Sequence, residues 1–157
     1  MAEVVTEFGS SPARRAILVG FINLRSRLRT LGVIIQRQWL DGSFIEAIEA
    51  SEGRPPGDID VMSFIWRPAA AKSDADFHAL VRANLDVFHA PQAKAAFRCD
   101  HYLQDLDIGI DIDSICYWHA VFSHRRNGVW KGFVQILDEG EQADQVLLGQ
   151  ILAQGIA

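Results

Sequence analysis

The chain has 157 residues, 49% of them apolar, a length and composition that suit one compact domain spanning residues 1–157. Fifteen Lys and Arg against twenty Asp and Glu leave a net charge of −5, so contacts with nucleic acid or phosphate must come from local basic clusters and not from a general positive field. Two cysteines without CxxC spacing, no apolar run of membrane-spanning length and no basic start leading into an apolar stretch argue against a disulfide framework, a membrane span and a secretory leader; a reducing cytoplasm is the expected setting.

Ser11-Pro12 opens a helix expected from about Pro12 to Leu31, with Ser11 as N-cap, Pro12 in the first turn and Gly32 as terminator. Ile17, Phe21, Leu24, Leu28 and Leu31 recur every three or four residues, while Arg14, Arg25 and Arg29 share another side, which predicts an amphipathic helix with a basic face. Arg25, Arg27 and Arg29 are the surface such a helix would offer to RNA. "VIIQRQWL", Val33 to Leu40, reads as a strand ending at Asp41-Gly42, and "SFIEAIEAS" as a short helix after the turn. Past the loop "EGRPPGD", "IDVMSFIW" from Ile59 to Trp66 is a second strand, stopped at Pro68.

Two helices, Asp74 to His89 and Pro91 to Leu103, are expected next. "DIGIDIDSI", Asp107 to Ile115, alternates acidic or small residues with isoleucine and reads as a third strand; Lys131 to Leu137 is a fourth. Between them lie a short helix and a basic turn, and "EQADQVLLGQILAQG" closes the order as an amphipathic helix. The fold class that follows is α/β or α+β, with a small mixed β-sheet flanked by helices.

Successive strand side chains alternate faces, so Asp58 and Asp60 point the same way, roughly 6 to 7 Å apart, with Ile59 and Val61 on the opposite, core-facing side. The same parity groups Asp107, Asp111 and Asp113 in the expected third strand. Asp107 also suits a turn, and Asp113 an N-cap for the helix that follows, which leaves Asp111, between two isoleucines, as the candidate third acid. Three carboxylates from neighbouring strands suit a hard divalent ion, Mg²⁺ above all, whose coordination is usually completed by substrate phosphates. Gly42-Ser43, a glycine at a strand end followed by a helix, lets backbone N–H groups and a hydroxyl approach phosphate oxygens. Arg125, Arg126 and Lys131 surround the turn Asn127-Gly128; Arg126 and Lys131 are the candidate partners of a triphosphate.

These residues, "LDGS" from Leu40, "GDIDV" from Gly57 and "GIDID" from Gly109, resemble the nucleotidyltransferase superfamily in its minimal form. With "WLDGSF" and "NGVWKGFVQI" they look closest to a bacterial and phage group of short proteins of that type. The resemblance implies a polymerase-beta-like core and a two-ion Mg²⁺ site at Asp58, Asp60 and Asp111, with Asp111 helping to activate the attacking hydroxyl and Gly42 and Ser43 holding phosphates. It further implies a nucleoside triphosphate as donor and a hydroxyl of RNA, protein or a small molecule as acceptor. A catalytically inactive relative acting as the partner component of a toxin-antitoxin or phage-defence system is the alternative. The apolar C-terminal pattern Val146, Leu147 and Ile151 suits a homodimer or a partner protein that completes the cleft.

Overall fold

The computed structural model describes residues 1–125 and 127–156. Helices α1 (Ala2–Phe8) and α2 (Pro12–Thr30) lead into β1 (Ile34–Asp41), a single turn at Ser43–Ile45 and α3 (Ile48–Glu52). Then come β2 (Ile59–Trp66), α4 (Asp74–Ala83), α5 (Leu85–Phe88), α6 (Ala90–Phe97) and β3 (Cys99–Asp105). Helix α7 (Ile112–Phe122), β4 (Val134–Leu137) and α8 (Glu141–Ala153) complete the order. The sheet runs β3-β2-β1-β4; β1 is antiparallel to both β2 and β4, and β2 is parallel to β3. A mixed sheet with helices on both faces is therefore the fold class that the alternation of patterns implied. No helix among the described residues is long and apolar enough to cross a membrane.

Strand parity assigns the two faces. Leu40, Ile59, Val61, Ile65 and Cys99 join Ile17, Leu18, Phe21, Ile22 and Leu28 of α2 in the larger core, which α8 extends with Leu147 and Ile151. Helix α2 begins where Ser11 accepts the N–H of Arg14 at 3.3 Å, with Pro12 in its first turn. The opposite face carries Trp39, Met62 and Phe64, and α7 covers it through Phe122, with Trp118 and Ile115 packed beside it.

Three of the expected elements differ, the first being the helix expected over Asp74–His89, which is broken at Asn84 (φ −134°, ψ 53°) into α4 and α5. The helix expected to reach Leu103 stops at Phe97, because Arg98 adopts a left-handed conformation (φ 57°) that closes α6 with its N–H on the Lys94 carbonyl. Cys99–Asp105 is then the third strand, with Cys99 and His101 turned to the larger core. The segment 107–115 is no strand. Asp107 is a turn residue whose carboxylate accepts the Arg67 N–H at 2.5 Å and pairs with Lys72 at 2.8 Å. Gly109 (φ 93°) breaks the extension, and Asp111 caps α7 by accepting the Asp113 N–H at 3.1 Å. The isoleucine alternation has no neighbouring strand to pair with and no core to enter.

The arginines of α2 do not make a free basic face. Arg14 enters the core edge, donating to the Glu49 carboxylate at 2.6 and 2.7 Å and to the carbonyls of Phe44 and Glu46. Arg25 is wholly buried, paired with Asp144 and Asp138 at 2.6 Å each, and it donates to Gln38. From there a chain of hydrogen bonds crosses the sheet: Gln38 Nε2 donates to Ser63 Oγ at 2.8 Å, and Ser63 Oγ lies 2.8 Å from His101 Nε2. His101 Nδ1 sits 2.6 Å from the Val87 carbonyl, a donor position that leaves Nε2 to accept from Ser63. From Arg25 to His101 each side chain of this line has a partner, while Asp144 Oδ1 and the Nε and Nη1 of Arg29 beside it are buried without one; the row ties α2 and α8 to the sheet and the sheet to α5.

Breaking one end strands a charge. Arg25→Leu leaves the buried Asp144 carboxylate with Arg29 alone, at 2.8 Å, and is expected to lower the urea-unfolding free energy by about 3–5 kcal/mol. A loss under about 1 kcal/mol, the scale of exposed pairs, would show that the pair carries little of the fold.

Candidate active site

At one end of the sheet the register sets three acids in a row: Asp41 of β1 is opposite Asp60 of β2, and Asp60 is opposite Asp100 of β3. All three belong to the face that carries Trp39, Met62 and Tyr102. Asp58, two residues before Asp60, adds a fourth carboxylate on the same side. Oxygen atoms of Asp58, Asp60 and Asp100 lie within 4.8 Å of one another.

The sequence brings Asp58 and Asp60 to this point, but the third acid is Asp100 and not Asp111. Asp111 stands exposed at the start of α7, outside the residues that line the cleft. The reason is the displacement of β3: the strand beside β2 begins at Cys99, so the residue facing Asp60 is Asp100. The alternation in "CDHYL", with Cys99 and His101 inward and Asp100 and Tyr102 outward, was the available signal; its lack of β-branched residues and its attachment to a helical pattern concealed it.

Gly42 and Ser43 are where the motif places them, at the end of β1 and the start of the following turn, and both line the cleft. Gly42 has φ 83° and ψ −170°, a conformation open essentially to glycine alone. A Cβ there would lie 2.9 Å from Asp60 Oδ2. The glycine is thus what lets the turn close against the Asp60 carboxylate.

Burial, reinforced by Asp58, Asp100 and Asp41, pushes the Asp60 carboxyl up to about 6. Burial also raises the Asp41 carboxyl, against the pull of Lys131, whose Nζ lies 2.9 Å from Asp41 Oδ1 as an ion pair outside good hydrogen-bond alignment. Lys131 reaches Glu46 as well, at 3.5 Å, and Arg125 pairs with the other oxygen of Glu46. Lys94 of α6 pairs with Asp58, and that hydrogen bond raises the lysine's own affinity for its proton. Lys131 therefore lies in the cleft as the sequence suggested, although on carboxylates. Arg126, the other candidate phosphate partner, lies outside the described residues. Neither Asp41 nor Lys94 was singled out by the sequence: Asp41 reads as a turn residue and Lys94 as one charge on a helix.

The cleft above these groups has a volume of about 720 Å³. Its far wall is aromatic: Tyr102 of β3 and Trp118 of α7 have ring centroids 4.5 Å apart. Burial and the neighbouring Asp100 push the Tyr102 hydroxyl up to about 12, so it remains a neutral donor and acceptor.

The domain is thus a mixed α+β unit with an acidic cleft at one end of its sheet, bordered by lysines and an aromatic wall. The chain belongs to the family described as a family of unknown function, DUF6932, whose model matches residues 1–137 and so includes all four strands and the acids, lysines and aromatic pair of the cleft. Neither the curated proteins nor the solved structures supply a match.

Two groups with opposite pH signatures meet on adjacent strands. Asp60, held near 6 against an ordinary 3.8, contributes stability that is present below 3.8 and lost as pH rises through about 6. His101, lowered by burial to about 4 from an ordinary 6.5, contributes stability that is full above 6.5 and lost as pH falls towards 4. In chelator-treated protein the two effects oppose each other between about 4 and 6. Asp60→Asn leaves the histidine effect alone, so the thermal midpoint of the variant should rise more steeply with pH across that window than that of the parent; parallel profiles would contradict the assignment.

Proposed function

We propose that the protein is a Mg²⁺-dependent nucleotidyltransferase that transfers a nucleoside monophosphate from a nucleoside triphosphate to an acceptor hydroxyl of RNA, protein or a small molecule. The observation that carries the reading is the grouping of Asp58, Asp60 and Asp100 beside the Gly42-Ser43 turn. The donor set fits the ion: three carboxylates at the start of two parallel strands offer hard oxygen ligands, and the burial and mutual repulsion that raise the Asp60 carboxyl are what a divalent cation would offset. Bound there, one or two Mg²⁺ ions would neutralise triphosphate charge and stabilise the attacking and leaving oxygens.

The chain's own residues divide the remaining work. Asp58, Asp60 and Asp100 would hold the cation, and Asp100, on the strand farthest from the Gly-Ser turn, would accept the proton of the acceptor hydroxyl. The Gly42-Ser43 turn receives phosphate oxygens. Lys131 and Lys94 supply positive charge on either side; each exchanges a carboxylate partner for a phosphate when the donor enters. Tyr102 and Trp118 offer a π-face for the base. The acceptor oxygen forms a bond to the α-phosphorus, the bond to pyrophosphate breaks, and the hydroxyl proton leaves. A cytoplasmic setting goes with a nucleoside triphosphate donor and with Cys99 and Cys116 as free thiols.

A second reading, an inactive nucleotidyltransferase-fold protein serving as the partner component of a toxin-antitoxin or phage-defence pair, is favoured by one observation: Lys94 and Lys131 already neutralise Asp58 and Asp41.

Thermal midpoints measured with Mg²⁺ and each of ATP, CTP, GTP and UTP separate the two. Stabilisation by at least one triphosphate, dependent on Mg²⁺ and lost in the Asp58→Asn, Asp60→Asn double variant, is expected; at a ligand concentration about 100 times Kd it amounts to about 2.7 kcal/mol. No shift with any of the four would support the binding-protein reading.

A further inference from the structure

The two lysines of the cleft are held differently. The Lys131 side chain is 12% exposed and lies between two carboxylates, Asp41 at 2.9 Å and Glu46 at 3.5 Å. Lys94 stands in the last turn of α6 with 53% of its side chain exposed, and among the described residues its ammonium pairs with Asp58 alone. Its backbone is fixed, because the Lys94 carbonyl accepts the Arg98 N–H at 2.9 Å where the helix closes. The four-carbon stem above that anchor can change rotamer with little loss of packing. Of the two cations, Lys94 is the more readily released.

Its partner is one of the proposed ligands. Asp58 belongs to the three residues whose oxygens lie within 4.8 Å of one another, and the Lys94 ammonium also acts electrostatically on Asp100 and Asp60. A divalent ion drawing on these oxygens meets a positive charge already seated at one of its ligands, and two positive charges that close repel each other. The ion therefore binds fully only where Lys94 has released Asp58, and its apparent affinity falls with the fraction of molecules in that state. A polyphosphate changes the balance. Its oxygens offer the ammonium another charge-assisted partner in the same cleft, and they complete the coordination of the ion.

We propose that Lys94 is a tethered counter-ion that competes with the divalent cation for Asp58 and passes to a phosphate oxygen when ion and polyphosphate enter together. The cleft then takes up the cation as its polyphosphate complex in preference to the bare ion. This rests on the cation site proposed above and adds to it the form in which the ion arrives.

Calorimetric titration of Mn²⁺ into the parent, Lys94→Met and Arg54→Met tests the competition, and thermal midpoints with Mg²⁺ and inorganic tripolyphosphate, a probe without a base, test the transfer. Arg54 lines the same cleft but pairs with Glu52, so its removal reports the general field of a lost positive charge. Lys94→Met should bind Mn²⁺ about fivefold or more tightly than the parent, and Arg54→Met should stay within about twofold of it. The stabilisation by Mg²⁺ with tripolyphosphate should be smaller in Lys94→Met than in the parent. Lys94→Gln serves if the methionine variant fails to fold. A parent that binds Mn²⁺ as tightly as Lys94→Met, or more tightly, overturns the proposal and leaves the cation site standing. An equal gain in Arg54→Met, or an undiminished response to tripolyphosphate in Lys94→Met, overturns it as well. If neither the parent nor Lys94→Met binds Mn²⁺, the cation site itself falls and the proposal with it.

Discussion

Asp41, Asp60 and Asp100 stand side by side across three neighbouring strands, and the repulsion within that row is the constraint to which the rest of the structure answers. Burial first, and then its like-charged neighbours, hold the Asp60 carboxyl near 6, and such a row is costly unless positive charge is near. Two lysines meet part of that demand. Lys94 comes from α6, which packs beside β3, and Lys131 from the approach to β4, so both edges of the sheet contribute a cation to its end. What the lysines leave unneutralised is centred on Asp60, where Gly42 brings the backbone against the carboxylate.

The row holds its place because the strands cannot slip. A one-residue change of register would carry the acids into the larger core and Ile59 and Val61 out of it. The buried line from Arg25 through Gln38 and Ser63 to His101 pins β1, β2 and β3 from the other face. His101 is the residue after Asp100, so the same strand carries an acid towards the cleft and a buried imidazole away from it. The fold thus separates its polar groups by face: a hydrogen-bonded, charge-paired line within the core, and an incompletely neutralised cluster at the cleft. The second is where chemistry is to be sought.

The sequence made the sheet's two central strands legible because their apolar runs end at strong signals, Asp41-Gly42 for β1 and Pro68 after β2. Helix α2 was legible from its cap and its period. The third strand was not, since "CDHYLQD" carries little β-propensity of its own and depends on the parallel pairing with β2, a contact between residues some forty positions apart. The stretch 107–115 misled for the converse reason: its alternation is sound, but no neighbouring strand receives it, and a glycine and a capping aspartate turn it into a helix start. Asp58, Asp60, Gly42 and Ser43 were found because each is local. Asp100, Asp41 and Lys94 are defined by register and by packing between elements, which no window of sequence displays. The basic face of α2 failed as a free surface because its arginines find carboxylates at long range, Arg14 on Glu49, Arg27 on Asp86, and Arg25 and Arg29 on Asp144, with Arg25 buried together with Asp144.

The most direct measurement is calorimetric titration of Mn²⁺, as an oxygen-seeking stand-in for Mg²⁺, into the parent protein, Asp100→Asn and Asp111→Asn. If Asp58, Asp60 and Asp100 form the cation site, the parent binds, Asp100→Asn loses affinity by about tenfold or more, and Asp111→Asn, in which asparagine still caps α7, binds like the parent. Absence of binding to the parent, or a loss that follows Asp111 and spares Asp100, would contradict the account.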